Sequence, residues 1–293
     1  MNTRLLAAFV VVCLLVSTPL VRSDEGIAQT RGFIEVRGTK LNVETFGSGA
    51  PIVFLHGGIV YFDNNFMKQR DYFASFRRVI GFDRRGHGHS PDHDRPFAYQ
   101  EMADDTAALI EQLGVGPVDV IGHSDGGDTG LILARDHPAL VRRLVVSGAN
   151  LRGGLASDVL QQRLSWPAQQ MTDAAMKIAE RLPPNFRTDY QKVTPDGPEH
   201  WPVFTTKTYR LWLTPVVIEA ADLKTIKVPV LVIAGDHDFS SIEDTAEIFR
   251  GLLKGELFIV PHAGHGTFED RSELVNLAIR EFLERPESQM AKP

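Results

Sequence analysis

Six short stretches of this 293-residue chain are almost wholly apolar: residues 52–55, 78–82, 118–121, 144–146, 230–234 and 257–260. A strand with one wet face alternates apolar and polar side chains. Unbroken apolarity instead means burial on both faces, as in a parallel sheet sandwiched between helices. Between these runs, residues 102–113, 130–135, 245–253 and 274–283 carry apolar side chains at helical spacing. Alternation of the two patterns predicts an α/β fold, a mostly parallel doubly wound sheet with right-handed crossovers. Ahead of it, residues 33–37 and 41–45 alternate around Arg37-Gly38-Thr39-Lys40, which predicts a hairpin with one solvated face. Residues 24–30 are polar and read as a loose tail.

One stretch breaks the rhythm. Residues 150–226 show no buried-strand pattern but hold all three tryptophans, Trp166, Trp201 and Trp212, with many prolines and helical pieces such as residues 173–181. This predicts a helical cap inserted over a pocket, dividing the core into residues 24–149 and 227–293. Residues 1–23 have a positive start, an apolar run over residues 5–16 and a break at Ser17-Thr18-Pro19. That order predicts a secretory signal peptide cleaved after Ser23, and hence a secreted or periplasmic protein. The run falls short of the ~20 apolar residues a membrane span needs, so no stable span is expected after cleavage.

Loss of Arg4 and Arg22 takes the net charge from −6 to −8. Nucleic-acid binding needs clustered Lys and Arg, so nucleic acid is not an expected partner. Cys13, the single cysteine, leaves with the leader, which excludes a cysteine nucleophile and disulfide staples from the mature chain.

Gly122-His123-Ser124-Asp125-Gly126 follows one apolar run directly and precedes a helical pattern. This is G-x-S-x-G in the strand–turn–helix setting of a nucleophile elbow. Glycine two residues to either side relieves crowding on a corner whose strained backbone pushes the serine hydroxyl clear of the sheet. A serine hydroxyl is a weak nucleophile and needs a base. On this scaffold the acid and then the base follow the nucleophile along the chain. Gly235-Asp236-His237-Asp238 succeeds the fifth apolar run, and Pro261-His262-Ala263-Gly264-His265-Gly266 succeeds the sixth. Asp238 is preferred to Asp236 because the acid usually lies three residues after that glycine. His265 is preferred to His262 because it follows Ala263-Gly264, the more flexible end of its loop. Asp236 is then left to cap a turn and His262 to pack beside the strand end.

An oxyanion hole needs two backbone N–H groups, one from the residue after the nucleophile and one from the loop after an early strand. Asp125 supplies the first. In His56-Gly57-Gly58-Ile59, Gly58 is chosen for the second, since a residue without a side chain lets substrate approach the backbone, with Ile59 as the alternative. The glycines of Asp83-Arg84-Arg85-Gly86-His87-Gly88-His89-Ser90 predict a tight loop near the site rim. Its His-x-His pair offers two metal ligands where a site needs three or four, so no metal and no cofactor is expected. Asp92-His93-Asp94 reads as a solvated loop.

Taken together, the hairpin, His-Gly-Gly, Asp-Arg-Arg-Gly-His-Gly-His-Ser, Gly-His-Ser-Asp-Gly-Gly, Gly-Asp-His-Asp and Ala-Gly-His resemble the α/β-hydrolase superfamily across residues 31–285. Ser124-Asp125-Gly126-Gly127 and Ser147-Gly148-Ala149-Asn150 are similar, more loosely, to its biphenyl-hydrolase-like group. His123 stands where that group often has tryptophan, and residues 239–242 lack the proline that frequently follows the acid.

The resemblance implies that the Asp125 carboxylate holds a substrate ammonium group; Ile59 is a further candidate for contact with substrate. The plain alternative is that Asp125 complements a helix N-terminus. Serine at 124, where dehalogenases and epoxide hydrolases of the superfamily carry aspartate, points to carbonyl substrates. The expected function is hydrolysis of small carboxylic esters through an acyl-enzyme on Ser124, Asp238 and His265. The alternatives are a lactonase, aminopeptidase or carbon–carbon hydrolase on the same residues, or a ligand-binding protein that has lost turnover.

Overall fold

The computed structural model describes residues 21–22, 28–151, 157–214, 216 and 218–289. Apart from Val21 and Arg22, the predicted leader lies outside these residues. The strands are β1 (Val21–Arg22), β2 (Ala28–Val36), β3 (Thr39–Phe46), β4 (Pro51–Leu55), β5 (Arg78–Phe82), β6 (Val118–His123), β7 (Val141–Ser147), β8 (Val230–Gly235) and β9 (Gly255–Val260). They form one sheet in the order β1-β2-β3-β5-β4-β6-β7-β8-β9. β1, β2, β3 and β5 pair antiparallel in that sequence, and every pair from β5 through β4 to β9 is parallel. The six apolar runs are the six parallel strands.

The core helices are α1 (Phe62–Ala74), α2 (Tyr99–Leu113) and α3 (Asp125–Asp136) before the insertion. α9 (Ile242–Gly251), α10 (Thr267–Asp270) and α11 (Ser272–Glu284) follow it. Side chains alternate along the parallel strands and both sets are buried in β4 to β8, whereas in the edge strand β9 Leu257 stays exposed. Val53, Leu55, Val120, Leu144, Val146 and Val232 pack with α2, α3 and α9 on one face. Ile52, Phe54, Ile121, Val145, Leu231 and Ile233 pack with Phe62, Phe66 and Phe73 of α1 and Val275, Ile279 and Phe282 of α11 on the other. Burying a side chain of this size contributes roughly 1.5–3 kcal/mol, and twelve such residues explain why no staple is needed.

The hairpin forms where predicted, with Arg37 and Gly38 both at positive φ, as a two-residue hairpin turn requires. Its expected wet face does not hold for β3. That strand lies inside the sheet between β2 and β5, and Asn42 and Glu44 are buried. Each finds a polar partner: Asn42 donates to Asp83 at 3.0 Å, and Glu44 accepts from Arg31 at 2.6 Å. Tertiary position overrode the polar pattern.

Between β7 and β8 the chain forms α4 (Ser157–Leu164), α5 (Ala168–Ala179), α6 (Pro184–Val193), α7 (Trp201–Leu213) and α8 (Ala220–Leu223), with no strand among the described residues of that stretch. Much of its aromatic content is packing. Tyr190 stacks on Phe204 at 4.3 Å, and Phe204 meets His87 of the core edge-on at 4.9 Å. Asp92 corrects the reading of residues 92–94 as a solvated loop. Its carboxylate is 4% exposed and accepts from Nε2 of His200 and Nζ of Lys207, both at 2.8 Å. Two donors of the inserted segment hold the loop inward, a pairing across more than a hundred residues that no local pattern encodes.

β4 has β5 on one side and β6 on the other, so connections leave it in opposite directions. In open α/β sheets this switch point opens a crevice at the carboxyl ends of the strands. The loops carrying His56–Ile59 and Ser124 leave β4 and β6 at that place.

Candidate active site

Ser124 sits at φ 53°, ψ −122°, between the end of β6 and the first turn of α3. That conformation is strained for a residue with a side chain. It is held by the Ser124 N–H donating to Ser147 O at 2.8 Å and by the Ser124 carbonyl accepting from Gly127 N–H at 2.7 Å. The flanking glycines are required by contact. A Cβ at Gly126 would lie 1.9 Å from the Leu55 carbonyl oxygen, and one at Gly122 would lie 2.3 Å from that of Gly126. The obstructing atoms are backbone of neighbouring elements and have no rotamer to yield. Gly126→Ala is therefore expected to lower unfolding free energy by about 3 kcal/mol or more. The check is a drop in the urea midpoint at unchanged slope.

His265, in the loop after β9, has its Nδ1 2.9 Å from Oδ1 of Asp238, whose side chain is fully buried. The Ser240 N–H donates to the same oxygen at 3.0 Å, while Oδ2 is buried without a hydrogen-bond partner. Gly148, at φ +63°, lets the pair approach β7: a Cβ there would lie 2.7 Å from His265 Cε1. Asp236, the rival acid, instead accepts from the Ala263 N–H at 3.1 Å and shapes the turn. His262 is exposed at φ 55°, not packed beside the strand end as expected. The bend that delivers Ala263 into the core turns its side chain outward.

The loop after β4 is fixed from behind. The Gly57 carbonyl accepts from Nη2 of Arg84 at 2.7 Å and lies 2.8 Å from Nδ1 of His56. Nε2 of His56 accepts from the Arg84 N–H at 3.1 Å. In a trans peptide the C=O and the following N–H point opposite ways, so anchoring the Gly57 carbonyl aims the Gly58 N–H away from Arg84. A Cβ at Gly57 would lie 3.4 Å from Cβ of Ser124, and one at Gly58 would lie 2.5 Å from Oδ2 of Asp125. The absence of a side chain at Gly58 thus leaves room for the Asp125 carboxylate beside Ser124. Ile59 is buried at φ 59°, an outlying conformation for a β-branched residue and a mark of a loop held in shape by its surroundings.

Asp125 is also buried. Its carboxylate accepts from the Tyr99 hydroxyl at 3.1 Å and from Nε1 of Trp212 at 3.0 and 3.1 Å. Burial pushes its pKa up, opposed by Arg84 and by these two donors. Burial also raises Asp128 well above the usual carboxylate range, with Asp125 adding to it. Asp128 accepts from the Asn150 N–H at 2.9 Å. The fully buried Arg84 guanidinium is the positive charge facing both, and burial lowers its pKa against their pull.

Arg84, Tyr99 and Trp212 were not singled out for these contacts from sequence. The clues were Arg84 as the first of two arginines in a glycine-rich turn beside the site, and Trp212 as an aromatic of the inserted stretch.

The sheet order is that of a doubly wound α/β fold, and the chain belongs to the alpha/beta hydrolase family, whose model matches residues 52–277. Among curated relatives it is 29% identical over 274 residues to the AB hydrolase superfamily protein YisY of Bacillus subtilis (strain 168), covering 83% of this chain and 94% of that one. It is 25% identical over 269 residues to the mouse (Mus musculus) serine hydrolase BPHL, covering 88% of each. This is the group the serine-flanking residues resembled. A solved thermophilic esterase from Thermogutta terrifontis shares the fold at a TM-score of 0.66 and 24% identity, over 87% of this chain and 98% of that one.

Proposed function

We propose that this hydrolase cleaves small carboxylic esters by acyl transfer through Ser124. The observation that carries the reading is the His265 imidazole. Its Nδ1 is tied to a buried carboxylate, and its backbone oxygen is bonded to residue 123, next to a serine on a strained, glycine-flanked corner. Oγ of Ser124 attacks the carbonyl carbon as Nε2 of His265 takes its proton. Asp238 holds the Nδ1–H tautomer and stabilises the imidazolium. The N–H groups of Gly58 and Asp125 receive the oxyanion. His265 then returns the proton to the leaving alcohol and activates water, which releases the acid and frees the serine.

The Asp125 carboxylate already accepts from Tyr99 and Trp212, which supports a part in binding the inserted helices to the elbow over one in holding a substrate ammonium. A panel of p-nitrophenyl esters of rising chain length, with an α-amino ester among them, tests both ideas. Saturable hydrolysis of short neutral esters is expected, with no advantage for the amino ester. Hydrolysis of lactones, peptides or β-diketones alone would move the assignment to another carbonyl chemistry. A fluorophosphonate should label Ser124, and a chain that neither labels nor turns over any of these is a binder.

We also infer export. Cleavage after Ser23 would remove β1 and leave β2 intact, and cell fractionation with N-terminal sequencing reads the outcome.

A further inference from the structure

Two polar side chains join the loop after β4 to the loop after β9 through three hydrogen bonds. The Gly57 N–H donates to Oδ1 of Asn65 at 2.8 Å. Nδ2 of Asn65 lies 3.1 Å from Nδ1 of His123. Nε2 of His123 lies 2.9 Å from the backbone oxygen of His265. The ends of the chain fix every proton in it. A backbone N–H only donates, so Asn65 presents its oxygen to Gly57 and its NH₂ to His123. A backbone carbonyl only accepts, so Nε2 of His123 carries the hydrogen and Nδ1 accepts from Asn65. The neutral imidazole this demands is the form its surroundings favour, since burial, followed by the nearby His265, lowers its pKa to about 4.

We propose that Asn65 and His123 are positioning residues: a hydrogen-bonded bridge that sets the distance between the oxyanion loop and the catalytic base. The bridge rests on the acyl-transfer reading for its purpose, though not for its existence. Gly57 immediately precedes the proposed oxyanion donor, and the carbonyl at the far end belongs to the base itself. His123 precedes the nucleophile in the chain. His123 thus meets the loop of the base directly and the oxyanion loop through Asn65, while sharing backbone with Ser124. Asn65 is in the first turn of α1 and His123 closes β6, so both brace loops from regular elements, which hold geometry better than loops do. A shift of about 1 Å at a reacting centre costs on the order of 10²-fold in rate, and such a shift is what loss of the bridge permits.

The test uses Asn65→Ala, His123→Phe and the double variant. On a p-nitrophenyl ester, each single change is expected to lower kcat by about 10- to 100-fold with KM within about twofold, because the bridge touches no substrate. The double variant should be no slower than the slower single variant, since removing either link already breaks the chain. Backbone hydrogen exchange, followed by mass spectrometry, reads the bridge without any turnover. Asn65→Ala should accelerate exchange in residues 261–266, which Asn65 does not touch.

Faster exchange there in a protein that neither hydrolyses esters nor labels with fluorophosphonate would keep the bridge and remove the acyl-transfer reading. Unchanged kcat and unchanged exchange in an active, labelling protein would overturn the bridge, as would fully multiplicative losses. Should His123→Phe fail to fold, Asn65→Ala decides alone through kcat, KM and exchange.

Discussion

Turnover of Ser124→Ala is expected to fall by ~10⁴-fold or more, since nucleophile, base and acid act as a unit. The expectation is sharp because the variant should fold. The backbone at 124 is held by its own N–H and carbonyl, to Ser147 and Gly127, and not by the hydroxyl. Glycines 122 and 126, which make room for the corner, are untouched. Loss of ester hydrolysis and of fluorophosphonate labelling at an unchanged melting temperature is the predicted result. Most of the activity surviving in that variant would falsify the assignment of the nucleophile.

The second large effect is expected from Asp238→Asn, a loss of about 10³–10⁴-fold in kcat. In the native arrangement Oδ1 of Asp238 accepts from Nδ1 of His265 and from the Ser240 N–H. An asparagine that keeps its oxygen toward Ser240 can still accept from His265, but it brings no charge to stabilise the imidazolium. One that turns its NH₂ toward His265 forces the hydrogen onto Nε2, where it cannot take the serine proton. Asp236→Asn is the matched control. Asp236 faces the Ala263 N–H and shapes the turn, so its change should leave kcat within about tenfold. Steady-state kinetics of the two variants side by side decides which aspartate is the acid. If Asp236→Asn is the more damaging, the assignment exchanges.

The parallel sheet was readable because short continuous apolar runs alternating with helical patterns favour burial between two layers of helix, although Leu257 of the edge strand β9 stays exposed. The elbow was readable because a corner this tight excludes side chains at fixed offsets, and that exclusion is written locally as glycine. What stayed hidden depends on partners distant in sequence. Asn42 and Glu44 look like solvent-facing hairpin residues until β5 is laid beside β3. Asp92 looks wet until α7 and the turn before it bring Lys207 and His200 over it. Asn65 carries no signal in its own segment. It becomes interpretable only when α1 is docked so that its amide lies between Gly57 and His123. Sequence supplied the residues with chemistry of their own, while residues that act through others needed the fold.

The indole of Trp212 ends on the carboxylate of Asp125, next door to the proposed nucleophile. Neither position can drift alone. An apolar residue at 125 would strand a buried Tyr99 hydroxyl and an indole hydrogen. A phenylalanine at 212 would strip donors from a carboxylate that already faces the cost of its enclosure. Across descendants of this chain the two sites should therefore be inherited as a matched set, so that reshaping the inserted helices also means renegotiating the residue behind the serine.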